Sequence, residues 1–516
     1  MSSDRHLMLS FEGPAVPGWL ESSILDTPPA GVTLFRSLNM ESPGQVAELV
    51  DKLQAINPDD MAMLIAVDQE GGQLQGLAGS TPFAGNMALG AAGDVDMTRR
   101  VAEAMGLELA AVGINLNYAP VADVASRPRN PSLGVRSFGE GPSAVASHVA
   151  AAVDGYRSAG VLATLKHFPG KGEAVVDPHY ELPRLDLELD RLRQVELPPF
   201  IAGIAAGANL VMTGHYSVPA LTGSDETPVS MSEAATNRFI RGELGFGGVI
   251  ITDALDMGAL DQGAGQIVDI IASLRGSTDL LLVMPERDLL ERARLAVTRG
   301  SSRGLISGAA LDASWRRLSA MRESLPRPDL RPELVGSHHD LADELARRSV
   351  TLVRNDAGLI PIHGLNRVLV LEPEPTNVTP ADTTSQYGPG LAETIRQFHG
   401  DVTGIVYPHN PDATDISGII DRARKDDVVI VATVNAPPGQ VDLVEGMMGT
   451  KVPLITVALR EPQDLALYPR VDTHVCTYSS HTPSLRALAR GLFGEQPFEG
   501  RLPVSIPPLY PIGHGV

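Results

Sequence analysis

Between residues 6 and 285 the chain repeats one arrangement: a short apolar run, a turn, then a longer stretch with helical spacing. The runs are HLMLS, GVTLF, MLIAVD, INLNYAPVAD, VLATLKHF, LVMTGHY, VIITDAL and LLLVMP. Runs of this length read as buried strands and the stretches between them as amphipathic helices. Over residues 43–56, for example, Ser42 can cap, Pro43 suits a first turn, and Val46, Leu49, Val50 and Leu53 recur on one face. Eight such units in about 300 residues predict a (β/α)8 TIM barrel.

An open, doubly wound sheet has similar content, and the polar residues argue against it. Asp68, Asp123, Lys166, His167, His215 and Asp253 fall at or just beyond the C-terminal ends of runs spread along the sequence. A barrel gathers such ends around one mouth, whereas an open sheet would concentrate them at one crevice.

The proline-rich stretch LPRPDLRPELVGS (325–337) follows and reads as a stiff inter-domain linker. It divides the chain into a barrel domain, 1–324, and a second domain, 338–516, as expected of a chain too long for one core. In the second part VTLV (350–353), VLVLEP (368–373), VTGIVYP (402–408), DVVIVATV (427–434) and PLITVAL (453–459) alternate with helical patterns, which predicts an α/β layered domain. No glycine-rich dinucleotide fingerprint or P-loop pattern occurs in it.

Lys and Arg total 41 against 62 Asp and Glu, a formal charge of −21, with no basic stripe, so nucleic acid is not an expected partner. The single cysteine, Cys476, cannot form an internal disulfide and reads as a small buried hydrophobe. The first residues show no basic stretch followed by a long apolar run, so a cytoplasmic location is expected. The longest apolar runs fall far short of the ~20 residues that cross a bilayer, and no membrane association is expected. No His-x-His occurs, so a metal is not expected, and no other cofactor is expected either.

Four segments carry candidate chemistry. In LKHFPGKGEAVVDPHYELP (165–183) a strand ends in Lys166-His167 and runs into a loop where Asp177 and His179 stand two apart. At that spacing a carboxylate can accept the imidazole N–H and fix its tautomer, although a solvated loop pair has the same spacing. GGVIITDALDMGAL (247–260) delivers Asp253 to the barrel mouth, either as a helix cap or as a reactive carboxylate, with Asp256 the more structural of the two. MLIAVDQEGGQLQGL (63–77) sets Asp68 before a Gly-Gly turn, and NYAPVADVASRPRNPSLGVRSFG (117–139) offers Asp123 and Arg136. The arginine's planar fork suits sugar hydroxyls, or equally a surface ion pair. His215 reads first as a packed, hydrogen-bonded histidine.

Together these segments resemble family-3 glycoside hydrolases, specifically the β-N-acetylglucosaminidase branch. The resemblance lies in Asp-Gln-Glu-Gly-Gly (68–72), Gly-Val-Arg-Ser-Phe-Gly (134–139) and Lys-His-Phe-Pro-Gly (166–170), and it extends through 347–362 and 492–507, which look like the family's C-terminal α/β sandwich. It implies a retaining exo-β-N-acetylglucosaminidase with Asp253 as nucleophile, His179 as acid/base and Asp177 as its orienting partner. Asp68, Arg136, Lys166 and His167 would bind the sugar. The implied substrate is a small aminosugar glycoside. Two alternatives stay open: a phosphorylase that passes the sugar to phosphate, which a neutral histidine does not repel, and a repurposed member acting on an unusual aminosugar.

Three positions depart from the family pattern. Where it has Gly-Gly-Arg-Val-x-Arg, this chain has Gly-Gly-Gln-Leu-Gln-Gly (71–76), so Gly76 takes the place of a sugar-binding arginine whose charge-assisted hydrogen bond would be worth ~1.5–3 kcal/mol. Lys171 replaces a histidine after Pro169-Gly170, setting what reads as a fixed cation near the acid/base loop. Pro178 stands between Asp177 and His179, where it is expected to stiffen a loop that swings.

Overall fold

The computed structural model describes residues 3–260, 262–326, 328–364 and 367–516. Arg327 of the predicted linker and Met1 and Ser2 of the N-terminal segment lie outside them. The eight runs form eight strands: β1 (Leu7–Leu9), β2 (Gly31–Thr33), β3 (Leu64–Val67), β4 (Leu116–Asn117), β5 (Leu162–Phe168), β6 (Leu210–Thr213), β7 (Val249–Ala254) and β8 (Leu280–Leu282). All pair in parallel, and the order β1-β8-β7-β6-β5-β4-β3-β2 closes into a barrel.

Strand alternation explains which side chains reach the mouth. Leu64 and Ala66 of β3, and Val249 and Ile251 of β7, join the cluster inside the barrel. Ile65 and Val67 pack outward with Val46, Leu49, Val50 and Leu53 of the helix Pro43–Ala55. That helix starts as predicted, with the Ser42 hydroxyl oxygen accepting from Gln45 N at 3.3 Å. Each apolar side chain so buried contributes about 1.5–3 kcal/mol. Asp68 and Asp253 continue the inward-facing phase past the apolar layer. The fourth run is the exception, giving only Leu116–Asn117 to the regular ladder. Pro120 has no N–H to donate, and beyond it the chain follows β5 irregularly through Val121 opposite Lys166.

The second part builds a mixed sheet from β9 (Thr351–Asn355), β10 (Val368–Pro373), β11 (Val402–Tyr407), β12 (Val428–Thr433), β13 (Leu454–Ala458) and β14 (Thr473–Cys476), ordered β9-β14-β13-β12-β10-β11. Only β9 and β14 pair antiparallel. Five of these strands correspond to the five runs read from the sequence. The sixth, Thr-His-Val-Cys, is too short and half polar to stand out, and its buried His474 is satisfied by Thr456 at 2.8 Å. Leu369 and Val429 face one side of the sheet and Val368 and Val428 the other, each side covered by helices.

The two parts share packing. Leu502, Val504 and Ile506 join the same apolar cluster as Phe138 and Ala88 of the barrel, and Glu140 accepts from Ser505 N and Oγ, both at 2.8 Å. Within the predicted linker Arg331 N donates to Ala111 O at 2.7 Å, so this stretch lies against the barrel. Among the described residues no helix is long and apolar enough to cross a membrane.

Candidate active site

The C-terminal mouth of the barrel opens into a cavity of about 430 Å³, a size that encloses a small molecule. Asp68, Arg136, Lys166, His167, His179 and Asp253 all line it. Asp177 stands behind His179 and is buried. The cavity therefore brings together six of the seven residues to which the family resemblance assigns a site role, with the seventh in direct contact.

Its floor is an ion-pair network. Lys166 Nζ lies 2.5 Å from Asp68 Oδ1 and 2.6 Å from Glu70 Oε1. Arg136 forms a two-pronged pair with Glu70, at 2.9 Å from Nε and 2.8 Å from Nη2. Burial would raise the Glu70 carboxyl, but Arg136 and Lys166 pull its pKa down to about 2. Burial would likewise deprotonate Lys166, and Asp68 and Glu70 hold its ammonium on. Pairing of this kind offsets the cost of taking these charges out of water. Glu70 is thus a positioning residue that spacing did not single out; its one sequence signal was membership of the Asp-Gln-Glu turn.

His167 Nδ1 lies 2.8 Å from Asp123 Oδ2, and Asp123 Oδ1 accepts from the backbone N–H groups of His167 (3.2 Å) and Lys171 (3.0 Å). Burial holds His167 well below its ordinary pKa, helped by Lys171 and Arg136, so its ring is neutral. The Lys166–His167 and Phe168–Pro169 peptide bonds are cis.

Asp253 ends the inward row of β7. The capping reading fails: among the described residues the next α-helix begins at Gln266, and Asp253 Oδ1 accepts only from the adjacent Ala254 N, at 2.9 Å. Burial would raise this carboxyl, yet His215, Lys171, His179 and the Ala254 N–H lower it below its ordinary value, so it is ionised at neutral pH. His215 is packed behind it, with Nδ1 2.7 Å from Ser230 Oγ and Nε2 3.0 Å from Ala254 O. Asp256 also lines the cavity, and burial raises its carboxyl.

His179 Nδ1 is 2.6 Å from Asp177 Oδ1, which also accepts the His179 backbone N–H at 3.0 Å. Burial would raise Asp177, but the hydrogen bond and charge of His179 outweigh it and the carboxyl is lowered. Among the described residues nothing bonds to His179 Nε2, the other ring nitrogen.

At Gly76 an added Cβ would lie 2.3 Å from Val67 Cγ2 and 2.6 Å from Asp68 O, so no side chain fits this backbone path. A guanidinium arrives from elsewhere: Arg36, just beyond β2, lines the cavity, donates to Leu77 O at 3.1 Å and stands 5.5 Å from the ring centre of Tyr387. Gln73 and Gln75, in the altered stretch, bind the second domain instead, through Ala381 O (3.0 Å) and Thr383 Oγ1 (3.1 Å). Thr383 and Gln386 complete the cavity wall from that domain, a contribution that strand and helix patterns could not reveal. Lys171, expected as a fixed cation, is instead buried, and burial and Arg136 bring its pKa down to about 8.

A model of the glycosyl hydrolase family 3 N-terminal domain matches residues 20–321. The chain belongs to glycosyl hydrolase family 3. Within that family it is 30% identical to beta-hexosaminidase A of Pseudoalteromonas piscicida, over 92% of this chain and 89% of that protein. It is 28% identical to a beta-N-acetylglucosaminidase/beta-glucosidase of Cellulomonas fimi, over 86% of this chain and 83% of the other. The family fold extends across both domains: a solved family 3 beta-N-acetylglucosaminidase from Paenibacillus sp. str. FPU-7 superposes with a TM-score of 0.92 at 32% identity, covering 98% of each chain.

Proposed function

We propose that this family 3 glycosidase removes terminal β-linked N-acetylglucosamine-type sugars with retention of configuration. The observation that carries the reading is the shared cavity: an ionised carboxylate, Asp253, and an imidazole backed by a carboxylate, His179–Asp177, face one space beside the paired Asp68, Lys166 and Arg136. The sugar class follows the relatives in Pseudoalteromonas, Cellulomonas and Paenibacillus, whose names specify hexosaminidase or N-acetylglucosaminidase activity.

In the first step an Asp253 oxygen attacks the anomeric carbon, the glycosidic C–O bond breaks, and His179 Nε2–H protonates the departing oxygen. In the second, water attacks the same carbon, His179 Nε2 takes the water's proton, and Asp253 leaves. Asp177 stabilises the imidazolium and orients it, a contribution of ~10²- to 10⁴-fold for general acid–base help.

The test uses a 5-fluoro N-acetylglucosaminyl fluoride, whose good leaving group and slowed second step trap the intermediate. Mass spectrometry should find the sugar on the peptide containing Asp253, with no label in Asp253→Asn. A label elsewhere, or none in an enzyme that turns the substrate over, would sink the retaining assignment. Repeating turnover in phosphate tests the acceptor: a sugar 1-phosphate product would mean phosphate replaces water in the second step.

A further inference from the structure

Lys171 lines the cavity, and the two-step reaction gives it no task. Its side chain is 2% exposed and lines the cavity with His179 and Asp253. Its backbone is pinned on both sides, with N donating to Asp123 Oδ1 at 3.0 Å and O accepting from Asn130 Nδ2 at 2.8 Å. Among the described residues no carboxylate oxygen comes within 4.0 Å of its Nζ, and Nζ makes no hydrogen bond to the protein. Every other buried cation of the network is paired: Lys166 with Asp68 and Glu70, Arg136 with Glu70. Because the side chain lines the cavity, these donors are open to whatever fills that space.

We propose that Lys171 is a direct ligand of the bound sugar, its ammonium donating to a neutral oxygen of the terminal residue, a ring hydroxyl or the acetamido carbonyl. This rests on the reading that the cavity binds a terminal aminosugar. The neutral class follows from the surroundings. Asp123, Asp177 and Asp253 favour the Lys171 ammonium and Arg136 opposes it, so three carboxylates already act on this one charge. A further anion would be repelled by them, whereas a hydroxyl accepts a hydrogen bond and adds no charge. With its pKa near 8, the side chain still carries its proton at neutral pH. Lys171 therefore helps to set which sugar oxygens the enzyme recognises.

The experiment is a substrate–enzyme cycle. Aryl N-acetyl-β-glucosaminides lacking the 3-, 4- or 6-hydroxyl, and the 2-hydroxy analogue lacking the acetamido group, are assayed with wild type, Lys171→Met and Lys171→Gln. For wild type, losing the contacted group should cut kcat/KM by about ten- to a hundredfold, the worth of a hydrogen bond to a charged donor. In Lys171→Met that single penalty should shrink to within a few-fold of none, the others should persist, and the loss should appear in KM more than in kcat. Should the methionine variant fail to fold, the glutamine variant, which keeps a donor, answers the same question through a reduced penalty. If all penalties stay unchanged in folded variants, Lys171 is structural and the proposal falls. If wild type cleaves aryl glucosides and no N-acetylhexosaminide, the aminosugar reading fails instead. The cycle is then run on deoxyglucosides, where an unchanged penalty pattern still counts against Lys171.

Discussion

The backbone N–H of Gly258 donates to the carbonyl oxygen of His179 at 3.0 Å, and next to it Ala259 N donates to Pro178 O at 3.1 Å. The loop carrying His179 and Asp177 is thus fastened to the segment that directly follows Asp253. Both candidate reactive groups take their positions from one stretch, residues 253–259.

Gly258 is where this fastening can be undone without touching a reactive group. A Cβ there would meet Tyr180 O at 2.7 Å and His179 O at 2.9 Å, both backbone atoms that cannot turn aside. Gly258→Val should lift the loop and lower kcat by about 10- to 100-fold, since a misplacement near 1 Å costs about that much. Steady-state kinetics beside an unchanged circular dichroism spectrum would check this.

Removing the carboxylate behind His179 should matter in proportion to how much the leaving group needs a proton. Asp177→Ala should lower kcat/KM by about 10²-fold for a disaccharide and far less for a dinitrophenyl glycoside, whose phenolate departs unprotonated. An equal loss for both substrates would argue against proton donation through His179.

Glu70 holds two buried cations, Arg136 and Lys166. Glu70→Gln keeps the shape and leaves Arg136 without its carboxylate, so denaturant unfolding should show a loss of about 3–5 kcal/mol. Because its carboxyl is lowered to about 2 in the fold, the stability it supplies is present above its ordinary value of 4.5 and is lost as pH falls toward 2. The difference between wild type and variant should shrink over that window.

Burial, opposed by Lys171 and by two backbone N–H groups, leaves Asp123 with a pKa of about 6. Below that pH it no longer accepts fully from His167 Nδ1 and from the Lys171 backbone. The acid limb of kcat/KM should therefore contain a step near pH 6 that is absent in Asp123→Asn. The sign separates this from unfolding. A carboxyl raised in the fold binds its proton more readily folded than unfolded, so between its ordinary 3.8 and about 6 it favours the fold as pH falls. Stability need not drop where activity does.

Much of this could be read before any coordinates. Alternating runs with hydrophobic periodicity are local properties, and they carry the barrel, five strands of the second sheet and the helix starting at Pro43. Asp253 and Lys166 were legible because strand alternation is local too: once Val249 and Ile251 face inward, so does Asp253. Glu70, Arg36 and Thr383 were not, because each earns its place by a contact with residues distant in the chain, Glu70 with Arg136, Arg36 with Leu77 and Thr383 with Gln73.

The order of the elements, the family and the residue types available at the barrel mouth were determined by the sequence alone, through periodicity and motif spacing. Tertiary structure decided how the charges are shared. It made Glu70 the hub of the ion-pair floor, turned the absent side chain at Gly76 into a matter of backbone space, and left Lys171 buried with its hydrogen bonds unspent. The physical reason is that pairing, burial and steric fit depend on what arrives from elsewhere in the fold, and no local pattern records that.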